Sequence, residues 1–336
     1  MSISTRVARA RSPRLVASVV VLASVASVCI REGVAHADPS KLPPQIGYNY
    51  DEIETPRSTG TAGAQRAASN SLTALFVNPA NLAATHVYHL GAFAQIWPEA
   101  SRQSYGAAAV DSIVSSARVA GGVGATWNFQ DNDGVQRKWT DIRFALAYPV
   151  SNQFFLGLGG RYMWLSEDGV GPLGTSLASG GLANARIVRG FAMDAGATLK
   201  ASDNFAISVV GNDLNNPGHG FQPTSFGGGV NATFGDFGAE GDMVADFTTW
   251  DRTTLRAMLG LEALFVDHFE ARLGYRYDDG AKSHAFAGGV GYIERNFDVD
   301  VGLRRTFVGA AATAVVFGFT YHLDATGLTP SPNESF

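Results

Sequence analysis

Cysteine is almost missing from this chain. The one cysteine among 336 residues, Cys29, sits in an apolar N-terminal stretch. A disulfide framework and thiolate chemistry are therefore excluded from everything that follows it. Long apolar runs are missing too. After that stretch no segment offers 18 continuous apolar residues, so no transmembrane helix is expected. Basic residues are scarce. Residues 1–37 hold five of the 25 Lys and Arg and one of the 30 Asp and Glu, leaving a net charge of about −9 without them. That balance excludes a nucleic-acid partner, which needs basic stripes to displace counterions.

Motifs of catalysis are also lacking. There is no Gly-x-Ser-x-Gly elbow, no His-Glu-x-x-His and no P-loop. Ser283 and His284 are neighbours on a predicted strand and so point to opposite faces. Asp131-Asn132-Asp133-Gly134 resembles part of a calcium loop but lacks the downstream glutamate. His86, His89 and His219 form no metal-ligand spacing. Neither an enzyme nor a metal or cofactor site is expected.

The N-terminus carries an export signature. Arg6, Arg9, Arg11 and Arg14 form a basic region, and Leu15–Ile30 is apolar but rich in Ala and Ser. Ala35-His36-Ala37 then supplies the small-x-small pattern of signal cleavage, placing a removed leader at 1–37. Val28 stands before Cys29 where a lipoprotein signal would have a small residue.

The rest of the chain is dominated by alternation. From Thr254 to Asp278 every second residue is apolar. Leu255, Ala257, Leu259, Leu261 and Phe265 share one parity, and Arg256, Met258, Gly260 and Glu262 the other. After Val266-Asp267-His268 the rhythm resumes, with Phe269, Leu273, Tyr275 and Tyr277 opposed to Glu270, Arg272, Arg276 and Asp278. A period of two marks strands with one greasy and one polar face.

Fourteen such segments follow one another, near 86–97, 102–113, 117–129, 138–149, 153–165, 187–200, 203–213, 224–235, 237–249, 254–265, 267–278, 282–294, 296–308 and 314–323. Tight turns alternate with longer links, of which Ser166–Arg186 is the longest. The polar parity collects Asp141, Arg143, Arg161, Asp194, Glu240, Asp242, Asp246, Asp298, Asp300 and Arg304. Such charges on a lipid face would cost about 2–4 kcal/mol near the midplane for Arg or Lys.

A transmembrane antiparallel up-and-down β-barrel of about 14 strands over residues 86–323 fits this pattern. A soluble β-sandwich accounts less well for the alternating loop lengths. Trp97, Trp127, Trp139, Tyr148, Trp164, Tyr277, Tyr292, Phe307 and Tyr321 are expected to face lipid as interfacial girdles. Residues 324–336, with Pro330 and Pro332, read as a tail.

Residues 38–85 do not alternate. They are Gly/Ala-rich and end in Asn78-Pro79-Ala80-Asn81-Leu82-Ala83. Pro79 biases Asn78 towards extended backbone, and the Asn side chain can bond backbone two residues on. The motif bends the chain into the first strand or is simply a turn before it.

Here the chain resembles the FadL family of outer-membrane transporters, including its PorV-like branch. The family carries an Asn-Pro-Ala-x-Leu motif before its first strand, with Gly more often at the fourth place than Asn81. Leu259-Gly260-Leu261-Glu262, Arg272-Leu273-Gly274-Tyr275, Gly288-Gly289-Val290-Gly291-Tyr292 and Phe317-Gly318-Phe319-Thr320-Tyr321 continue the likeness. Gly318 to Leu323 also fits the terminal signal read by the barrel assembly machinery.

The resemblance implies a fourteen-stranded barrel plugged by an N-terminal hatch, residues 38–85, in the lumen of a Gram-negative outer-membrane protein. It implies passive uptake of small hydrophobic compounds, fatty-acid-like or aromatic, with sideways exit into lipid. Asn78, Pro79 and Ala80 would be the hatch motif. Val170, Pro172, Leu173 and Leu177 would form a ligand-capturing loop. Gly121, Gly122 and Gly124 would bend the wall for lateral exit, or else would admit tight packing of the hatch. Glu262, Glu270, Arg272, Arg276, Asp298, Asp300 and Arg304 are expected to form a polar lumen network. The partners are then outer-membrane lipid, a hydrophobic ligand and the assembly machinery. The alternative, from the PorV-like branch, is a docking component for secreted protein cargo.

Overall fold

A computed structural model of the chain describes residues 53–113, 118–131, 135–171, 174–175, 185–215, 221–250 and 252–323. The expected leader, the first part of the hatch and the C-terminal tail lie outside these residues. Among the described residues no helix is long and apolar enough to cross a membrane.

Fourteen long antiparallel strands form the wall. They are β1 Tyr88–Trp97, β2 Arg102–Asp111, β3 Ala120–Gln130, β4 Val135–Pro149, β5 Phe154–Gly171, β6 Ala185–Ser202 and β7 Phe205–Asn212. After them come β8 Ser225–Phe234, β9 Phe237–Asp246, β10 Thr254–Phe265, β11 Phe269–Asp278, β12 Ser283–Ile293, β13 Phe297–Val308 and β14 Thr313–His322. Each strand pairs with its sequence neighbours, and β1 pairs with β14 from His89↔His322 to Ile96↔Val315. The sheet is thereby closed, which removes the edges an open sheet would expose.

Alternation sets the two faces as expected. On β10, Arg256 and Met258 are buried while Leu259 and Leu261 are exposed, and on β11 buried Arg272 adjoins exposed Leu273. Exposed Phe144, Leu146, Leu158, Phe286, Val290, Phe317 and Phe319 continue the apolar exterior around the wall. A closed ladder with such an exterior is a form in which strands can span a bilayer, because the ladder pairs backbone polar groups within the wall.

Most links at one end of the barrel are turns of two to four residues, and the two longest links lie at the other end. At the turn end, Phe234 pairs with Phe237 across Gly235-Asp236, and Phe265 with Phe269 across Val266–His268. The start of β1 and the end of β14 both lie at this end.

Two expectations need correction. The link Ser166–Arg186 is in part strand. Ser166 pairs with Arg186 and Glu167 with Ala185, past a register shift at Leu165/Ser166, so β5 and β6 extend beyond the expected boundary. Polar and Gly residues interrupt the apolar alternation there, and strand pairing continues without it. The girdle expectation fails for Trp97 and Trp139, which are only 4% and 3% exposed and turn into the lumen. Trp127, Tyr148, Trp164, Phe307 and Tyr321 do face outward.

The segment 53–85 lies inside the barrel as the expected hatch. It contains helix α1, Pro56–Gly60, helix α2, Ser71–Val77, and a 3-10 turn at Pro79–Ala83. Thr55 caps α1 in a reciprocal capping box with Ser58, and Pro56 occupies the first turn, where its missing N–H costs nothing.

Candidate functional site

The lumen is built in two layers, an ionic collar around the hatch and an aromatic cluster towards the loop end. The collar begins with consecutive backbone donors. The Gln65 and Arg66 amides donate to Asp242 Oδ2 at 2.9 and 3.0 Å, and those of Ala67 and Ala68 donate to the Glu240 carboxylate at 2.5 and 3.0 Å. The Arg66 guanidinium adds an ion pair to Asp242 at 3.1 Å. Glu240 and Asp242 share the inner face of β9. Their shared face was legible in the sequence, but the main-chain donors that satisfy them were not. Carboxylates accepting several N–H bonds hold a segment more tightly than neutral groups would.

On the adjoining strands, where Arg276, Asp298 and Arg304 pair elsewhere, three of the expected polar residues gather around Arg272. It contacts Glu262 at 3.2 Å, Asp300 at 2.6 Å and Glu270. Asp298 accepts from His322 at 2.9 Å, and Arg276 lies 3.8 Å from Asp278. Arg304 pairs with Glu54 of the hatch, and Arg57 of α1 forks onto Glu262. Burial disfavours the charge of Arg57, but the Glu262 carboxylate outweighs it and raises the pKa above the ordinary value. Glu54 and Arg57 had no signal in the sequence, because the hatch does not alternate.

The motif Asn78-Pro79-Ala80 locks the hatch to β5 and β6. Asn78 is extended, with φ −151° and ψ 105°, and its Oδ1 accepts from Ala80 N at 3.1 Å. Both features follow from the Asn-Pro pair. Its amide also donates to Arg66 O at 2.8 Å and to Thr198 Oγ1 at 3.1 Å. Gly157 and Gly196, partners across β5 and β6, leave the room. A Cβ on Gly157 would overlap the Ala80 backbone, and one on Gly196 would overlap Asn78 Oδ1.

Gly122 and Gly124 face the hatch, whereas Gly121 faces Leu146 on the other side of the wall. β3 pairs without register shift from Gly121↔Asp111 to Gln130↔Arg102 on one side and along β4 on the other. The lateral gap expected at this place is not open. A Cβ on Gly124 would lie 2.9 Å from Phe76 Cζ, and one on Gly122 would lie 3.3 Å from Leu75 Cδ1. Leu72, Leu75 and Phe76 of α2 bury themselves against Ala108, Val110, Ala120 and Ala145 there. This seam is the apolar side of the hatch.

Towards the loop end, Trp97, Trp139, Met163, Leu165 and Phe221 form a buried apolar cluster with Ala100 and Ala314. Arg102 stands 5.4 Å from the centre of Trp97 and 4.7 Å from that of Trp139, and Arg304 stands 5.5 Å from Trp97. Parity could have found it, since Trp139 shares the face of Asp141 and Arg143. Between hatch and wall lies a cavity of about 40 Å³ bordered by Arg66, Arg143, Asp194 and Arg256. A larger cleft of about 200 Å³ opens at the turn end beside Arg57, His89, Arg272 and His322.

Of the expected capture loop, Val170 is placed by its backbone, which pairs with Thr175. Pro172, Leu173 and Leu177 lie outside the described residues.

No family model matches the chain, and no curated protein matches it. Solved structures do. The CymD monoaromatic hydrocarbon channel superposes with a TM-score of 0.64 at 16% identity, over 82% of this chain and 98% of that one. The Ralstonia pickettii toluene transporter TbuX gives 0.62 at 14% identity, over 82% and 100%. A Pseudomonas aeruginosa FadL homologue gives 0.58 at 13% identity, over 81% and 99%. The chain therefore has the FadL-like outer-membrane barrel fold, a closed wall of fourteen strands around an N-terminal hatch.

Proposed function

We propose that this protein is an outer-membrane channel through which small hydrophobic compounds, aromatic or fatty-acid-like, diffuse passively. The observation that carries the reading is the cluster of Trp97, Trp139, Met163, Leu165 and Phe221 on the loop side of the hatch. The cluster is packed shut beside Arg161, Asp141 and Asp194, each member 4% exposed or less, so an apolar ligand would take its place among the rings by displacing their side chains. Met163 adds a polarisable, adaptable side chain to the rings.

The solved structures of like fold are described as channels for hydrocarbons. They do not favour the alternative of a docking component for secreted cargo.

The onward path follows from polarity. An apolar ligand crossing the collar would meet Arg57, Glu262 and Arg272, which desolvate at high cost. The seam between α2 and β2–β4 is apolar apart from Arg143, which donates to Phe76 O at 3.0 Å, so a ligand displacing Leu75 and Phe76 passes the hatch there, and sideways exit into lipid also requires the paired β3 wall to part. Export by cleavage after Ala37 belongs to the same reading, and the mass of the mature N-terminus tests it.

Binding is tested by titrating purified protein with toluene and following tryptophan fluorescence. Saturable quenching is expected, and Trp97→Ala and Trp139→Ala should each weaken it. No saturable signal in the parent protein would remove the reading.

A further inference from the structure

The closing seam of the barrel carries a pair of histidines. His89 near the start of β1 and His322 at the end of β14 stand opposite each other, and their rings stack with centroids 4.2 Å apart and planes 18° from parallel. Both line the cleft of about 200 Å³ at the turn end.

The two rings reach different parts of the protein. His322 Nε2 lies 2.9 Å from Asp298 Oδ2, and its Nδ1 lies 3.2 Å from Arg295 O. A carboxylate and a carbonyl accept and do not donate, so both bonds form together only when the ring carries two protons. His89 Nδ1 bonds Ser71 Oγ of the hatch at 2.6 Å. A hydroxyl donates or accepts equally well, so that bond suits a neutral ring.

Ser71 opens α2, and the helix begins under strain. Its φ of 50° lies in the left-handed region that a residue other than glycine rarely occupies. Asn70, at the cap position, makes no capping bond, and its side chain instead accepts from the Arg57 guanidinium. The start of the helix is therefore held from outside, through Asn70 to Arg57 and through Ser71 to His89. Leu72 follows them onto β1, so close to Gly91 that an added Cβ would overlap Leu72 Cδ1. Backbone strain persists only where the surroundings impose it, and release of Ser71 lets this turn relax.

We propose that the His89–His322 stack is a proton-sensitive latch on the hatch: acid places a positive charge on both rings, the stack parts, and the start of α2 comes away from β1. Two like charges at this spacing repel, the more so in a partly buried place. The carboxylates lining the cleft already have cations. On β13, Asp298 holds His322 and Asp300 holds Arg272, while Glu270 of β11 also meets Arg272. Arg57 of α1 is held by Glu262. On β2 the residue opposite His89 is Val110, which brings no charge.

Near neutral pH the stack carries one charge at most and α2 is docked. As pH falls through the range in which histidine titrates, docking weakens. The latch concerns the hatch and stands whether or not a ligand passes. In a channel, its release would loosen Leu72, Leu75 and Phe76 from the apolar seam.

The test is amide hydrogen exchange of the intact protein in detergent micelles, read as protection factors so that the intrinsic pH dependence of exchange is divided out. Between about pH 8 and about pH 5, protection across Ser71–Val77 should fall by about tenfold or more, while amides of β10 hold theirs. His89→Gln keeps a partner for Ser71 and cannot take a charge, and His322→Gln removes the other charge. Each should abolish the fall. His284→Gln, at a wall histidine bonded to Tyr275 instead, should behave as the parent protein does.

Equal protection of Ser71–Val77 at both pH values in the parent protein would overturn the latch, as would an undiminished fall in both His89→Gln and His322→Gln. Migration as a folded species on unheated gels shows that each variant keeps its wall. A fall shared by β10 would mark general unfolding and would overturn the latch as well.

Discussion

Arg57 of the hatch and Glu262 of the wall form a two-pronged ion pair, Nε to Oε1 at 2.8 Å and Nη2 to Oε2 at 2.6 Å. Arg272 approaches the same carboxylate at 3.2 Å, so one wall residue holds both a hatch cation and a wall cation. Glu262→Gln removes the charge that both arginines share. The loss in hatch docking should be about 1.5–3 kcal/mol, the range for hydrogen bonds to charged groups. Hydrogen exchange should then quicken in Pro56–Gly60 while amides of β10 and β11 stay protected. Unchanged exchange in α1 would show that this pair does not hold the hatch.

Asp242→Ala should act more strongly than Glu262→Gln. Its carboxylate accepts from two backbone amides and from Arg66 in a fully enclosed place. Removing one partner of a buried pair costs about 3–5 kcal/mol, because the other charge is left unpaired. The expected outcome is protease cleavage near Gln65–Ala68 in a barrel that still migrates as a folded species on unheated gels.

Gly196→Ala tests the seat of the Asn-Pro-Ala motif. The new methyl overlaps Asn78 Oδ1, whereas a Cβ on Gly238 meets nothing within 4 Å. Gly196→Ala should lower thermal stability, and Gly238→Ala should leave it nearly unchanged. Asn78→Ala should resemble Gly196→Ala, since it leaves Ala80 N without its side-chain acceptor at about 1–3 kcal/mol, while Arg66 O keeps the Asn81 amide.

Val266 and Asp267 lie in the left-handed region, at φ 51° and 60°, in the turn between β10 and β11. A β-branched residue is strained there, where Asn or Gly is at ease. Val266→Gly should stabilise the barrel by about 1 kcal/mol, read as a raised unfolding temperature.

Glu99 ties the turn after β1 to the start of β14. It accepts from Thr313 N at 2.9 Å and meets the Arg305 guanidinium. Burial pushes its pKa up, but the bonds from Thr313 and Arg305 prevail and hold it below the ordinary carboxylate value. The tie is in full force above the ordinary value, about 4.3, and is lost as pH falls through the lowered one. Exchange at the Thr313 amide should therefore rise at acid pH, and Glu99→Gln should abolish that pH dependence.

Much of this fold was legible because a barrel wall repeats one rule. Residues alternate, and Leu259 against Arg256 or Leu273 against Arg272 shows which face meets lipid. Turns as short as Gly235-Asp236 leave little freedom in where strands end. Proximity to a strand end misplaced Trp97 and Trp139, although parity with Gln95 and Asp141 pointed them inward. The hatch was less legible. Arg57, Glu54 and the amides of Gln65–Ala68 find their partners across 170 or more residues of sequence, and no local period encodes such pairs. Asn215, whose amide accepts from Met193 N and donates to Phe191 O, was hidden for a similar reason, since a side chain bonding a strand edge has no pattern of its own.

Passage through the barrel is tested most directly in Gram-negative cells with and without the protein, by the initial rate at which a lipophilic dye, N-phenylnaphthylamine, accumulates. Three strains suffice: one without the protein, one with it, and one with Trp97→Asp and Trp139→Asp placing charge in the aromatic cluster. Faster accumulation is expected with the parent protein, falling towards the empty strain with the double variant at equal barrel abundance. Equal rates in all three strains would contradict a channel for hydrophobic compounds.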